Sequence, residues 1–154
     1  MGAVVGYLQV LQVSVEVKRA AYIMFRNESA NGTKGLNNNY AGVQADSGRW
    51  PEKWDNEIVG TVAKTENGTG KVRLFVAFHG WQDSINFLID RVQDRGLYIG
   101  GYARLIAKMR ITTPTELAIA YNRDWVKGLK AYNPTETEVA NFLSMYRQAA
   151  KIFL

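Results

Sequence analysis

Residues 57–78 read EIVGTVAKTENGTGKVRLFVAF, two runs rich in β-branched and aromatic residues parted by ENGTG. Asn67-Gly68 at the centre is a strong hairpin signal, because both residues tolerate the positive φ angles of a tight turn. A hairpin placed mid-chain rules out an all-helical bundle, yet most of the flanking sequence has helical period. Val17, Ala21, Met24 and Glu28 recur at spacings of four, three and four after a candidate N-cap at Ser14. QDSINFLIDRVQDRG sets Ile85, Leu88, Ile89 and Val92 on one face, with Gly96 as a stop.

The remaining segments follow the same pattern. Val4, Leu8, Leu11 and Val15 have helical spacing, although LQVLQVSVEV also alternates like a strand. Residues 29–56 read as polar loop with one short strand at Tyr40–Ala45. GGYARLIAKMR is expected to be a short helix. PTELAIAYNRDWVKGLKAY opens with Pro114 and a capping signal at Thr113 or Thr115. The last helix places Val139, Phe142, Leu143, Tyr146 and Ala149/Ala150 on its core face. The expected architecture is a single α+β domain over residues 1–154, mainly helical, with a small β-hairpin region bordering a groove.

Composition narrows the function classes. There is no cysteine, which excludes disulfides and thiolate metal sites, and one histidine, His79, excludes a multi-histidine zinc site. No metal or cofactor is expected. No apolar run nears the roughly 20 residues that span a bilayer, and MGAVVGYLQVLQVSVEVKR lacks the basic leader and cleavage site of a signal peptide. The net charge of +5 favours an anionic partner, which could be nucleic acid, a membrane surface or a bacterial cell wall. The basic residues are dispersed, so only the charge supports nucleic-acid binding, and no nucleic-acid partner is expected.

Glu28 is the unusual residue. In AAYIMFRNESANG it falls on the apolar stripe of its helix, at the C-terminal end where the macrodipole disfavours a negative charge. Such a carboxyl group, held against apolar neighbours, would have its pKa pushed up, as a general acid of glycoside cleavage requires.

The surrounding residues resemble a known family. YIMFRNESANG resembles the catalytic helix end of goose-type lysozymes and lytic transglycosylases, an apolar helix running into Glu-Ser. NNYAGVQAD is similar to their next segment, and LAIAYNRDW to their later Ala-Tyr-Asn helix. The hairpin and AFHGWQDSINFLI are similar to the glucosaminidase branch of the same superfamily. The resemblance, over about residues 14–130, implies a lysozyme-like fold and a peptidoglycan glycosidase cutting the β-1,4 bond between N-acetylmuramic acid and N-acetylglucosamine. It makes Glu28 the catalytic acid and Ser29 its hydrogen-bonding neighbour. Gln44 and Tyr40 would line the sugar groove, Tyr121 would reach toward the acid, and Asn122 would support it. Asp46 is the first candidate for the second carboxylate, with Asp55, Glu57 and Glu66 in reserve. Arg123-Asp124 departs from the family's usual Ala-Gly and could reshape the groove wall.

Trp50 and Trp54, flanking Pro51, would either stack on sugar faces or pin the loop; Trp81, Trp125 and His79 read as structural. Asp90 and Asp94 alternate with Arg91 and Arg95 on a polar helix face, a solvated salt-bridged surface. The expected partner is the glycan strand of peptidoglycan. A phage endolysin or virion-associated lysin fits a chain with no recognisable export signal, and so does a secreted effector. The competing reading is a noncatalytic glycan-binding or structural domain of the same fold, which a solvated Glu28 would favour.

Overall fold

The computed structural model describes residues 1–45, 50–66 and 68–154. It is an α+β structure: helices α1 (Gly2–Val10), α2 (Val15–Glu28), α3 (Trp81–Arg95), α4 (Pro114–Ala120) and α5 (Glu136–Ile152), with strands β1 (Ile58–Thr65) and β2 (Val72–Phe78) between α2 and α3. The described residues fall into two compact units, one of residues 1–24 and 89–154, the other of residues 25–88.

Local chemistry sets most helix starts. The Ser14 hydroxyl accepts from the Val17 amide at the head of α2, and Thr113 and Thr135 each close a reciprocal capping box with the glutamate three residues on. The carboxyls of Glu116 and Glu138 are consequently held below their usual range, chiefly by the backbone amides of Thr112 and Thr135 respectively. After α4 the chain continues as one π-helical stretch, Tyr121–Lys127.

In the first unit, Val4, Leu8, Val17, Phe142 and Tyr146 are buried, while Val139, Leu143 and Ala150 of the expected α5 core face are only half-buried. Arg19 of α2 donates to the Phe153 carbonyl at the end of α5, and the Tyr146 hydroxyl donates to the Glu16 carboxylate. GGYARLIAKMR is not a helix. Its ends are fastened across the loop, by the Gly100 amide to the Ile111 carbonyl and by a bridge between Tyr102 and Arg110. Those cross-loop bonds outweigh the weak preference of Ala, Arg, Leu and Lys for helix.

In the second unit, β1 and β2 pair antiparallel from Thr65↔Val72 to Ile58↔Phe78, with an irregularity between Ile58 and Gly60. The hairpin is where the Asn-Gly signal put it. Ala45, Trp54, Ile58, Val76, Phe78 and Phe87 form its core, with Val43 and Trp50 packed against them. The expected strand at Tyr40–Ala45 is reduced to a single bridge, Gln44 to Phe75, flanked by bonds from the Ala45 amide to the Leu74 carbonyl and from the Val76 amide to the Val43 carbonyl.

Among the described residues, no helix is long and apolar enough to cross a membrane.

Candidate functional site

Glu28 is the last residue of α2, and its side chain is exposed. This corrects the expectation that it faces inward. Val17, Ala21 and Met24 are buried as their spacing requires, but burial stops at Phe25, residues 26–28 are not buried, and the next buried residue after them is Ser29. The physics is plain: a carboxylate buried against a negative helix pole is costly twice over, whereas a hydroxyl can satisfy backbone groups. Ser29 does so. Its Oγ donates to the Phe25 carbonyl and accepts from the Gly32 amide at 2.8 Å, while its own carbonyl receives the amides of Thr33 and Lys34. The hydroxyl expected as the acid's hydrogen-bonding neighbour is committed to the turn.

That turn is tight. Ala30, Asn31 and Gly32 all have positive φ, 47°, 58° and 79°, a costly run for residues bearing a Cβ. Ser29 holds it closed.

Facing Glu28 is the segment around Gly42. A Cβ built on Gly42 would lie 3.3 Å from Glu28 Oε2, and its φ of +62° already disfavours any other residue. Bare backbone thus lies against the carboxylate. Three asparagines anchor this segment to the end of β2. The Asn37 carbonyl accepts from the Phe78 amide, and the Asn38 amide group lies 3.2 Å from the carbonyls of Phe78 and His79. Buried Asn39 donates to the carbonyls of Val43 and Val76 and accepts from the Val43 amide. The sequence reading missed Asn39. An amide with two donors and an acceptor is the side chain suited to bridging strand backbones, but NNNY does not say which asparagine does it.

Tyr40 follows directly. Its half-buried ring stacks on Phe25 at 5.7 Å and lies so close over Gly35 that any side chain there would overlap it. Gln44 is exposed while Ala45 beside it is buried, so the side chains of Tyr40 and Gln44 are in the same unit as Glu28. Trp50 is partly buried against the hairpin core, and its indole donates to Asp55 at 2.9 Å. Trp54 is buried 4.9 Å from the Phe87 ring. Both tryptophans pin the loop.

Asp46, the first candidate for the second carboxylate, lies outside the described residues. Of the reserves, Asp55 accepts from Trp50. Glu66 accepts from the Thr69 hydroxyl, which with Arg73 and Lys71 holds its carboxyl below the ordinary range. Glu57 differs from both: its Oε2 is buried and has no hydrogen-bond partner among the described residues.

Tyr121 and Asn122 belong to the other unit. Both are buried; the Tyr121 ring packs 5.2 Å from Phe142, and Asn122 donates to the Ala118 carbonyl of its own helix. The departure Arg123-Asp124 is structural. Arg123 donates to the Tyr132 carbonyl, and buried Asp124 pairs with Arg95 at 3.3 Å. Arg95 therefore serves a buried acid as well as the polar face expected for α3. Among the described residues, no three Asp, Glu or His side chains are grouped to hold a metal.

No family model matches the chain, and no curated protein or solved structure matches it.

Proposed function

We propose that the protein is a peptidoglycan glycosidase of lysozyme-like architecture, with Glu28 as its general acid and a substrate groove bordered by the hairpin region. The observation that carries this reading is the placement of the Glu28 carboxylate at the end of a buried helix stripe, against the bare backbone of Gly42, on a segment strapped down by Asn39. An acid at the surface, beside a backbone segment held in place, suits protonation of a bound sugar's glycosidic oxygen. A sugar covering Glu28 would displace water from it and strengthen its hold on the proton. Proton transfer to the leaving oxygen would give an oxocarbenium-like muramic acid. Water positioned by a second carboxylate would then complete hydrolysis, Asp46 by its place in the sequence or Glu57 by its unpartnered oxygen. With no such carboxylate, the 6-hydroxyl of the muramic acid would attack and close a 1,6-anhydro ring. Tyr40 and Gln44 would contact the glycan, and Ser29 and Trp50 would hold the turn and the loop in the same unit. Such an enzyme suits a phage lysin or a secreted effector.

A second reading, a noncatalytic glycan-binding domain, has the exposure of Glu28 in its favour, since an acid catalyst is commonly sheltered even without substrate. Digestion of purified peptidoglycan from several bacteria, with product ends read by mass spectrometry, separates the two. Reducing muramic acid ends support hydrolysis and anhydro ends support transglycosylation. Binding to every wall with no new ends on any would overturn the enzyme in favour of the binding domain.

A further inference from the structure

We propose that the loop of residues 102–110, together with residues 126–130, docks on the surface of a bilayer carrying anionic phospholipids. Tyr102, Leu105 and Met109 are 50%, 53% and 40% exposed, and Arg104, Lys108 and Arg110 between and beside them are exposed as well. No acidic residue occurs between Asp94 and Glu116. Single exposed apolar side chains are ordinary on any protein. Three large ones within residues 102–109, interleaved with cations and with no acid in the segment, are the make-up of a contact surface.

The exposure is built rather than frayed. Ala103 and Ile111 at the loop's base are wholly buried. The Ile111 amide donates to the Gly101 carbonyl at 2.9 Å, and the Lys108 amide to the Ala103 carbonyl at 2.8 Å. A secured base with apolar side chains on its outer part leaves those side chains no refuge within the loop.

A second segment also mixes exposed apolar and basic side chains, although Lys127 there lies over the Tyr132 ring at 5.2 Å and acts on the Glu138 carboxyl. Val126 and Leu129 are 48% and 58% exposed, alternating with exposed Lys127 and Lys130. Arg95 joins the roots of the two segments: its carbonyl accepts from the Arg104 amide at 3.4 Å. Its guanidinium pairs with Asp124 and lies 5.3 Å from the centre of the Trp125 ring.

The mixture decides the partner. A soluble polyanion needs only the cations and would leave Leu105 and Met109 in water. A bilayer interface takes both: headgroup phosphates meet Arg and Lys, a tyrosine settles at the headgroup level, and the aliphatic side chains sink below it. This inference rests on the surface alone and stands apart from the glycosidase reading.

Co-sedimentation of the full chain with vesicles of phosphatidylcholine, alone or mixed with phosphatidylglycerol, tests it. Binding to the mixed vesicles only, weakening as salt rises, is the expected result. The triple variant Arg104→Gln/Lys108→Gln/Arg110→Gln should bind about a hundredfold more weakly. Leu105→Ser/Met109→Ser should bind about tenfold more weakly, with unchanged circular dichroism for both. Absence of wild-type binding would overturn the proposal. So would a serine variant that binds like wild type while the triple variant does not, which would mark a polyanion site. A solution dimer dispersed by the serine variant would also overturn it, by showing that a second copy covers the patch.

Discussion

Two carboxylates each follow an apolar helical run, and they are treated in opposite ways. Asp124, just past α4, is buried and locked to Arg95 at 3.3 Å. Glu28, at the end of α2, stands exposed against a glycine, while the neighbouring serine fills the buried position. An acid that serves stability is enclosed with its partner, Asp124 lying within the π-helical stretch Tyr121–Lys127. Glu28 is left at the surface, and the turn beside it is made with residues at positive φ, Ala30 and Asn31.

The contrast can be broken by mutation. Asp124→Ala removes the charged partner of Arg95 and should destabilise the chain by roughly 1.5–3 kcal/mol, read by urea unfolding. A loss near zero would mean that the pair contributes nothing and that burial of Asp124 has another cause. Gly42→Ala should cost about 1–2 kcal/mol through its left-handed φ. It should also slow muropeptide release, because the added carbon sits 3.3 Å from Glu28 Oε2. A stability loss with no change in release would detach Gly42 from the proposed chemistry. Ser29→Ala should cost about 1 kcal/mol, since the Gly32 amide loses its acceptor, and a melting temperature equal to wild type would deny Ser29 its place in the turn.

The smallest expected effect is one of pH. The carboxyls of Glu116 and Glu138 are held below their ordinary range in the folded chain. Their contribution to stability is therefore full above the unfolded carboxylate pKa, about 4.3, and is lost as pH falls through the lower folded value. The melting-temperature gap between wild type and Glu116→Gln should be present at neutral pH and shrink in acid; a gap that does not change with pH would refute this.

The comparison also shows what a sequence makes legible. Turn and cap chemistry is local, so Asn67-Gly68, Ser14 and Pro114 with its neighbouring threonine announce the hairpin and two helix starts at or near their observed places. Glu28 stands out in the sequence as an anomaly, but helical period does not give its facing, because it closes α2 where burial gives way to the turn. Asn39 and Asp124 were not legible: each is explained by a partner distant in sequence, Val76 for one and Arg95 for the other. The loop at 100–110 departs from its expected helix for the same reason, since its residues favour helix and only its cross-loop bonds forbid it.

The central claim is that Glu28 is placed for chemistry and not for folding. It is tested most directly by measuring, on Glu28→Gln, both the rate of muropeptide release from purified peptidoglycan and the melting temperature. The account predicts a rate lowered by about 10²–10⁴-fold with melting and peptidoglycan binding kept. Release at the wild-type rate would contradict it, and so would a lost rate that merely follows a collapse in stability.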